Sequence, residues 1–261
     1  MPILYIGGYG RSGSTVLDQT IAVHLGGISL GEAVYLPRSV SRHDRCSCGV
    51  QADLCPVWHD AASQIRLQSP ALRDHSFRED GLWGLMSPRS PHYDRAQRAI
   101  FQKLESTLYC DSSKTCRHAM LRPWALDQLF PGQLFFVWLH RPLLDTITQS
   151  LMKGTNQQLE HGSTSGLPWL RIARGVIGYI YANVTAWVYA AILFRHRSIL
   201  IDQRQLRQQP DLVLHRIADL VHQAGRSSVA SAAPFPMSPP RFEPSLDPLH
   251  QIAGNRNRRQ F

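Results

Sequence analysis

Apolar residues in this chain fall in short unbroken runs, separated by glycine- and serine-rich turns and by stretches with helical spacing. The first run is Ile3-Leu-Tyr-Ile6, the clearest is 133–139 and the last is 198–202, with shorter runs at 28–30 and 107–110. Runs that do not alternate with polar residues read as strands buried on both faces. Helical spacing occupies the intervals at 16–24, 93–105, 120–129, 140–153, 170–194 and 210–224. Strand followed by helix, repeated along the chain, predicts an α/β protein. The expected form is three layers, a central parallel sheet of about five strands flanked by helices, within one domain over 1–261. Residues 37–93 are rich in Arg, Ser, Pro and His with weak periodicity, and read as an insertion or lid over a ligand pocket. Residues 226–243, rich in Ser, Ala and Pro, read as an irregular loop.

Charge narrows the ligand. The net charge is +9, which favours an anionic ligand or a negatively charged neighbour. Nucleic acid is the other reading of a basic chain, but the arginines are scattered and no nucleic-acid-binding motif is visible. Residues 175–194 are uncharged and long enough to cross a bilayer. Asn183 and Thr185 at their middle, with candidate ligand residues on both sides, favour a central core helix and no membrane partner. The first strand begins with no basic segment before it, so no secretory signal and a cytoplasmic location are expected.

The five cysteines, an odd number, agree with a reducing compartment. Three of them, Cys46, Cys48 and Cys55, lie with His43 and His59 in one short stretch. The spacing C-x-C-x6-C lacks the paired C-x2-C of common zinc fingers. Packed thiols are the expected state and no metal is expected in the site; a structural zinc and a disulfide stay open as alternatives.

The densest chemistry lies at residues 3–19, a buried strand, a glycine-rich turn and a helix start. Such a turn points backbone N–H groups and the positive end of a helix at an anion. Gly8 to Thr15 nearly fits the P-loop pattern G-x-x-x-x-G-K-[ST], but Ser14 stands where that pattern needs lysine. The cation comes earlier, at Arg11, where it can reach the bridging oxygen of a shorter, 5′-linked anion. No kinase-like acidic cluster for magnesium is identifiable.

Arg11-Ser12-Gly13-Ser14-Thr15 resembles the [KR]-S-G-[ST]-[ST] phosphosulfate loop of sulfotransferases that use 3′-phosphoadenosine 5′-phosphosulfate, and matches it at every position. Gly31-Glu32 is similar to the element that supplies the general base in the tyrosylprotein and carbohydrate branches of that family. Asp111-Ser-Ser-Lys114 is similar to a turn frequent in its bacterial members, and Cys46-x-Cys-Gly…Cys55-Pro-x-Trp58 occurs in them too.

The resemblance implies a P-loop-like fold and transfer of a sulfuryl group to a hydroxyl, with an amine second, of a small metabolite. Its implied catalytic groups are Glu32 as base, with Arg11 and Lys114 at the leaving oxygen, and Asp111 orienting the turn. Ser12, Gly13, Ser14 and Thr15 would hold the 5′-phosphate. For the 3′-phosphate, His140-Arg141-Pro142 is one residue out of register with the family's pattern, so two pairs remain: Arg141 with Ser150, which is favoured, or His140 with Thr148. Asn255 and Arg256 match a C-terminal Gly-Asn stretch that closes over the nucleotide. The segment 37–93 would then cover the acceptor site. Two rivals stand beside this reading, an ATP-dependent small-molecule kinase and a nucleotide-binding module without turnover. Oligomeric state is not readable.

Overall fold

The computed structural model describes residues 2–66, 91–102, 108–116, 119–153, 168–228 and 249–252. Five parallel strands form the sheet in the order β2-β3-β1-β4-β5. They are β1 (Ile3–Gly7), β2 (Gly27–Gly31), β3 (Leu108–Asp111), β4 (Leu134–His140) and β5 (Ser198–Asp202). The helices are α1 (Ser14–His24), α2 (Leu36–Ser41), α3 (His59–Arg66), α4 (Pro91–Phe101), α5 (Arg122–Leu129), α6 (Leu143–Lys153), α7 (Pro168–Val188), α8 (Gln203–Gln208) and α9 (Pro210–Ser228).

Alternation along the central strands divides the core in two. Ile3 and Tyr5 of β1, with Leu134 and Phe136 of β4, face one layer, filled by residues of α2 to α5 and α7. Leu4 and Ile6, with Phe135, Val137 and Leu139, face the other, filled by α1, α8 and α9. Both faces are covered, which is why the strand sequences show no polar alternation. Within 37–66, Trp58, Ala61 and Ile65 are buried in the first of these layers, so this stretch contributes to the main core. Its two short helices were not legible as periodicity.

The helix at 170–194 differs from the expected central core helix. It runs as α7 and ends in a π-helical turn at Tyr189–Leu193. Only a narrow stripe, including Ala182, Ala186 and Tyr189, is buried, while Ile177, Ile180 and Val184 are more than half exposed. The expectation failed because apolar content is high all round this helix, and composition alone does not say which side meets the sheet.

The chain order decides where a ligand can sit. From β1 the chain turns towards β2, and from β3 it crosses to β4 on the opposite side of β1. The carboxyl end of β1 is therefore the point where successive connections diverge, the usual binding crevice of an open parallel sheet.

Candidate functional site

Residues 8–13 leave β1 in a turn that only a few backbones can make. Gly8 has φ of 118°, and a Cβ there would lie 2.4 Å from the carbonyl oxygen of Leu139. Gly13, before the first residue of α1, has φ of 93°. Arg11, a non-glycine residue, is also in the left-handed region at 67°, a conformation that concentrates at functional turns. No side chain caps α1, and its first turn has no acidic residue. The Ser12 hydroxyl is buried with no hydrogen-bond partner among the described residues. A buried orphan hydroxyl beside an uncapped helix start is a cradle suited to an anion.

The turn after β3 braces this loop. Gly8 N–H donates to Thr115 Oγ1 at 3.0 Å, Thr115 N–H donates back to Gly8 O, and the Thr115 hydroxyl donates to Ala182 O of α7 at 2.7 Å. Tyr9 packs on Gly178 and meets Tyr179 edge-on, so α7 lies against the loop. Burial pushes the Tyr9 and Tyr179 phenols up from their ordinary value. Neither Tyr9, Thr115 nor Tyr179 was singled out from the sequence. Tyr9 was the most visible of them, since it stands inside the glycine run.

Lys114 also has positive φ, at 69°, and its carbonyl accepts from the Tyr5 hydroxyl. Its ammonium donates to Glu32 Oε1, and both residues are buried. Asp111, at the end of β3, is bound into the start of this turn. Its carboxylate accepts from Ser113 N–H at 2.9 Å, from the Ser113 hydroxyl, and from Arg122 Nε at 2.8 Å, with Asp111 and Arg122 both fully buried. The Ser113 hydroxyl in turn accepts from Val34 N–H, which holds the segment after Glu32. Arg122 was not recognised in the sequence, because nothing local marks an arginine at the start of α5 as the partner of a strand-end carboxylate.

Asp18 is a second buried carboxylate under the site. It accepts from Gly31 N–H at 3.0 Å and from the Ser112 hydroxyl at 2.8 Å. Burial pushes its carboxyl up to about 8, outweighing the hydrogen bonds from Ser112, Ser29 and Gly31 that lower it. It positions the β2 and β3 ends from within the fold, and was missed because it reads as one acidic residue in a helix.

Arg141, just past β4, donates from Nη1 to Arg11 O at 2.8 Å. Burial, then the neighbouring Arg207, pushes its guanidinium down from the ordinary arginine value. His140 turns elsewhere, with Nε2 3.1 Å from the Tyr179 hydroxyl and Nδ1 3.7 Å from Asp202. The Tyr179 hydroxyl donates to Arg141 O at 2.7 Å, tying the two neighbours together. Thr148 is exposed on α6. Ser150 lies on the same helix, with its side chain outside the described residues; Asn255 and Arg256 lie outside them altogether.

The loop at 8–15 with Arg11, and Glu32, Lys114 and Arg141, thus follow the carboxyl ends of β1, β2, β3 and β4 in turn. In fold, this chain is similar to sulfotransferase domains. One is the sulfotransferase domain from the curacin biosynthetic pathway, with a TM-score of 0.49 and 20% identity over 85% of this chain and 74% of that one. Another is the sulfotransferase domain from the Synechococcus PCC 7002 olefin synthase, with a TM-score of 0.48 and 19% identity over 85% of this chain and 73% of that one. No family model matches the chain, and no curated protein does.

Proposed function

We propose that this chain transfers a sulfuryl group from 3′-phosphoadenosine 5′-phosphosulfate to a hydroxyl, with an amine second, of a small metabolite, in line and without a metal ion. The observation that carries this reading is an uncapped helix start with an orphaned Ser12 hydroxyl, held by Arg141 through Arg11 O, with the buried pair Lys114 and Glu32 at the carboxyl ends of β3 and β2. An anion cradle alone suits many nucleotides. The cradle that lacks the P-loop lysine but has Arg11, with a base and a second cation on the neighbouring strand ends, fits a donor with one 5′-linked leaving phosphate.

The bound donor supplies an activated sulfuryl group, whose bridging oxygen departs with the 5′-phosphate. Ser12 to Thr15 hold that phosphate through N–H and hydroxyl donors, and Arg11 neutralises charge on the bridging oxygen. Glu32 takes the proton of the acceptor hydroxyl as the new sulfur–oxygen bond forms and the old one breaks. The ion pair couples the two ends of the reaction. While Glu32 is ionised, it neutralises Lys114; once Glu32 is protonated, the full ammonium charge of Lys114 is available to the leaving oxygen. Arg141 and Ser150 hold the 3′-phosphate, a placing that the contact of Arg141 with the loop backbone supports. The resemblance assigns Asn255 and Arg256 to the nucleotide and 37–93 to the acceptor side. The acceptor is a cytoplasmic metabolite, with neither nucleic acid nor membrane as partner.

Calorimetric titration with adenosine 3′,5′-bisphosphate and with ATP plus magnesium tests the donor. Preference for the bisphosphate is expected, and preference for magnesium-ATP overturns the proposal in favour of a kinase. An acceptor screen with labelled donor then reads transfer as a mass gain of one sulfo group. Binding of the bisphosphate with no transfer to any acceptor leaves a nucleotide-binding module.

A further inference from the structure

Three cysteines and one histidine from distant parts of the chain converge at the β2 edge of the sheet. Cys46 and Cys48 lie on a tight hairpin in which Gly49 N–H donates to Cys46 O and Cys46 N–H donates to Val50 O. Cys55 stands just before α3, where its carbonyl accepts from Trp58 and His59 N–H. His250 comes from the segment 249–252, which pairs beside β2 through Ser29 and Leu249. The four ligand atoms all lie within 4.8 Å of one another. Cys55 Sγ is 3.7 Å from Cys46 Sγ, 3.7 Å from Cys48 Sγ and 3.2 Å from His250 Nδ1, and Cys46 Sγ is 3.8 Å from that nitrogen.

Four of the six separations of a tetrahedral ligand set are thus 3.2–3.8 Å, and the other two are within 4.8 Å. Sulfurs about 2.3 Å and a nitrogen about 2.0–2.1 Å from a tetrahedral zinc stand about 3.5–3.8 Å from each other. A disulfide needs only two sulfurs and leaves the imidazole without a purpose. We propose that Cys46, Cys48, Cys55 and His250 Nδ1 bind one structural zinc ion, their three thiol protons passing to solvent. Of the two histidines near the cysteines in sequence, His59 instead directs Nδ1 to Asp53 O at 2.8 Å. With four protein ligands and Cys46, Cys55 and His250 buried, the site has no open position for chemistry. Main-chain bonds hold the ring in place: His250 N–H donates to Ser29 O at 2.9 Å, and His250 O accepts from Trp58 Nε1 at 2.8 Å. The ion therefore clamps the hairpin, the start of α3 and the 249–252 segment to β2, the strand that leads into Glu32.

The inference does not rest on the proposed activity. Full-length protein purified without chelator is expected to contain about one zinc per chain by mass spectrometry of metals. Exchange for cobalt is expected to give the visible bands of a tetrahedral thiolate site. Cys48→Ser and His250→Asn should lose the metal, and Cys116→Ser, outside the cluster, should keep it. Wild-type protein that carries no zinc and takes up no cobalt overturns the proposal. So does a disulfide between two of the three cysteines in the protein as purified, or equal metal loss in Cys116→Ser.

Discussion

Lys114 donates to the carboxylate of Glu32 across a separation of 82 residues, and the two side chains are only 10% and 11% exposed. The pair joins the turn after β3 to the residue after β2 and places a buried carboxylate and an ammonium together. In the proposed reaction its two members have separable tasks. Glu32→Gln keeps an acceptor for the ammonium but removes the proton acceptor, so sulfuryl transfer should fall by at least about 100-fold. Affinity for adenosine 3′,5′-bisphosphate should stay within about threefold. Lys114→Met leaves a carboxylate buried without its cation, and urea unfolding should show a loss of about 3–5 kcal/mol. Unchanged turnover in Glu32→Gln removes the base assignment.

Arg141 is expected to read the 3′-phosphate while it braces the loop through Arg11 O. Arg141→Lys keeps the charge but cannot reproduce the planar fork. Bisphosphate affinity should drop about tenfold, equal to about 1.4 kcal/mol. His140→Gln should leave that affinity unchanged. The opposite pattern in the two titrations transfers the role to His140.

Gly8→Ala tests the cradle itself. The added methyl meets Leu139 O at 2.4 Å in a backbone conformation that L-residues avoid, so the loop must move. A stability loss of about 1–3 kcal/mol is expected, with bisphosphate binding weakened beyond detection by calorimetry. Wild-type affinity in this variant would show that the turn does not hold the nucleotide.

Asp18 gives stability a pH dependence. Its carboxyl is raised from 3.8 to about 8, so between these values the folded chain holds a proton that the unfolded chain has released. That contribution is fully present below about pH 4, declines as pH rises and is exhausted above about pH 8. Asp18→Asn keeps an oxygen for Gly31 N–H and Ser112 and removes the ionisation. Relative to wild type, it should gain on the order of 1–3 kcal/mol near pH 9 and little near pH 4. Urea midpoints measured at both pH values check this, and an equal effect at the two would exclude the carboxyl as the source.

Much of the scaffold was legible in the sequence, and particular elements show why. The 133–139 run became β4, the 3–6 run became β1, and the loop between β1 and α1 lies where its glycines put it. Local sequence governs such features, since a buried strand has to be apolar and a left-handed turn selects glycine. The helices of 36–66 were not legible. They are short and tied down by Trp58, Ile65 and the cysteine cluster, which are long-range contacts without a repeating pattern.

The candidate site divides in the same way. Arg11, Glu32, Lys114 and Arg141 could each be picked out from a motif, because each stands at a strand end with its own local signature. Their partners could not. Lys114 with Glu32, Asp111 with Arg122, Asp18 with Ser112, and Cys55 with His250 are pairs that only folding creates. By itself the sequence determined the alternation of strand and helix, the glycine-rich turn after β1 and the chemical types available at each strand end. The tertiary structure alone decided which charge neutralises which and which histidine joins the cysteines, because short-range backbone preference acts within a few residues whereas burial and pairing act between segments up to the length of the chain apart.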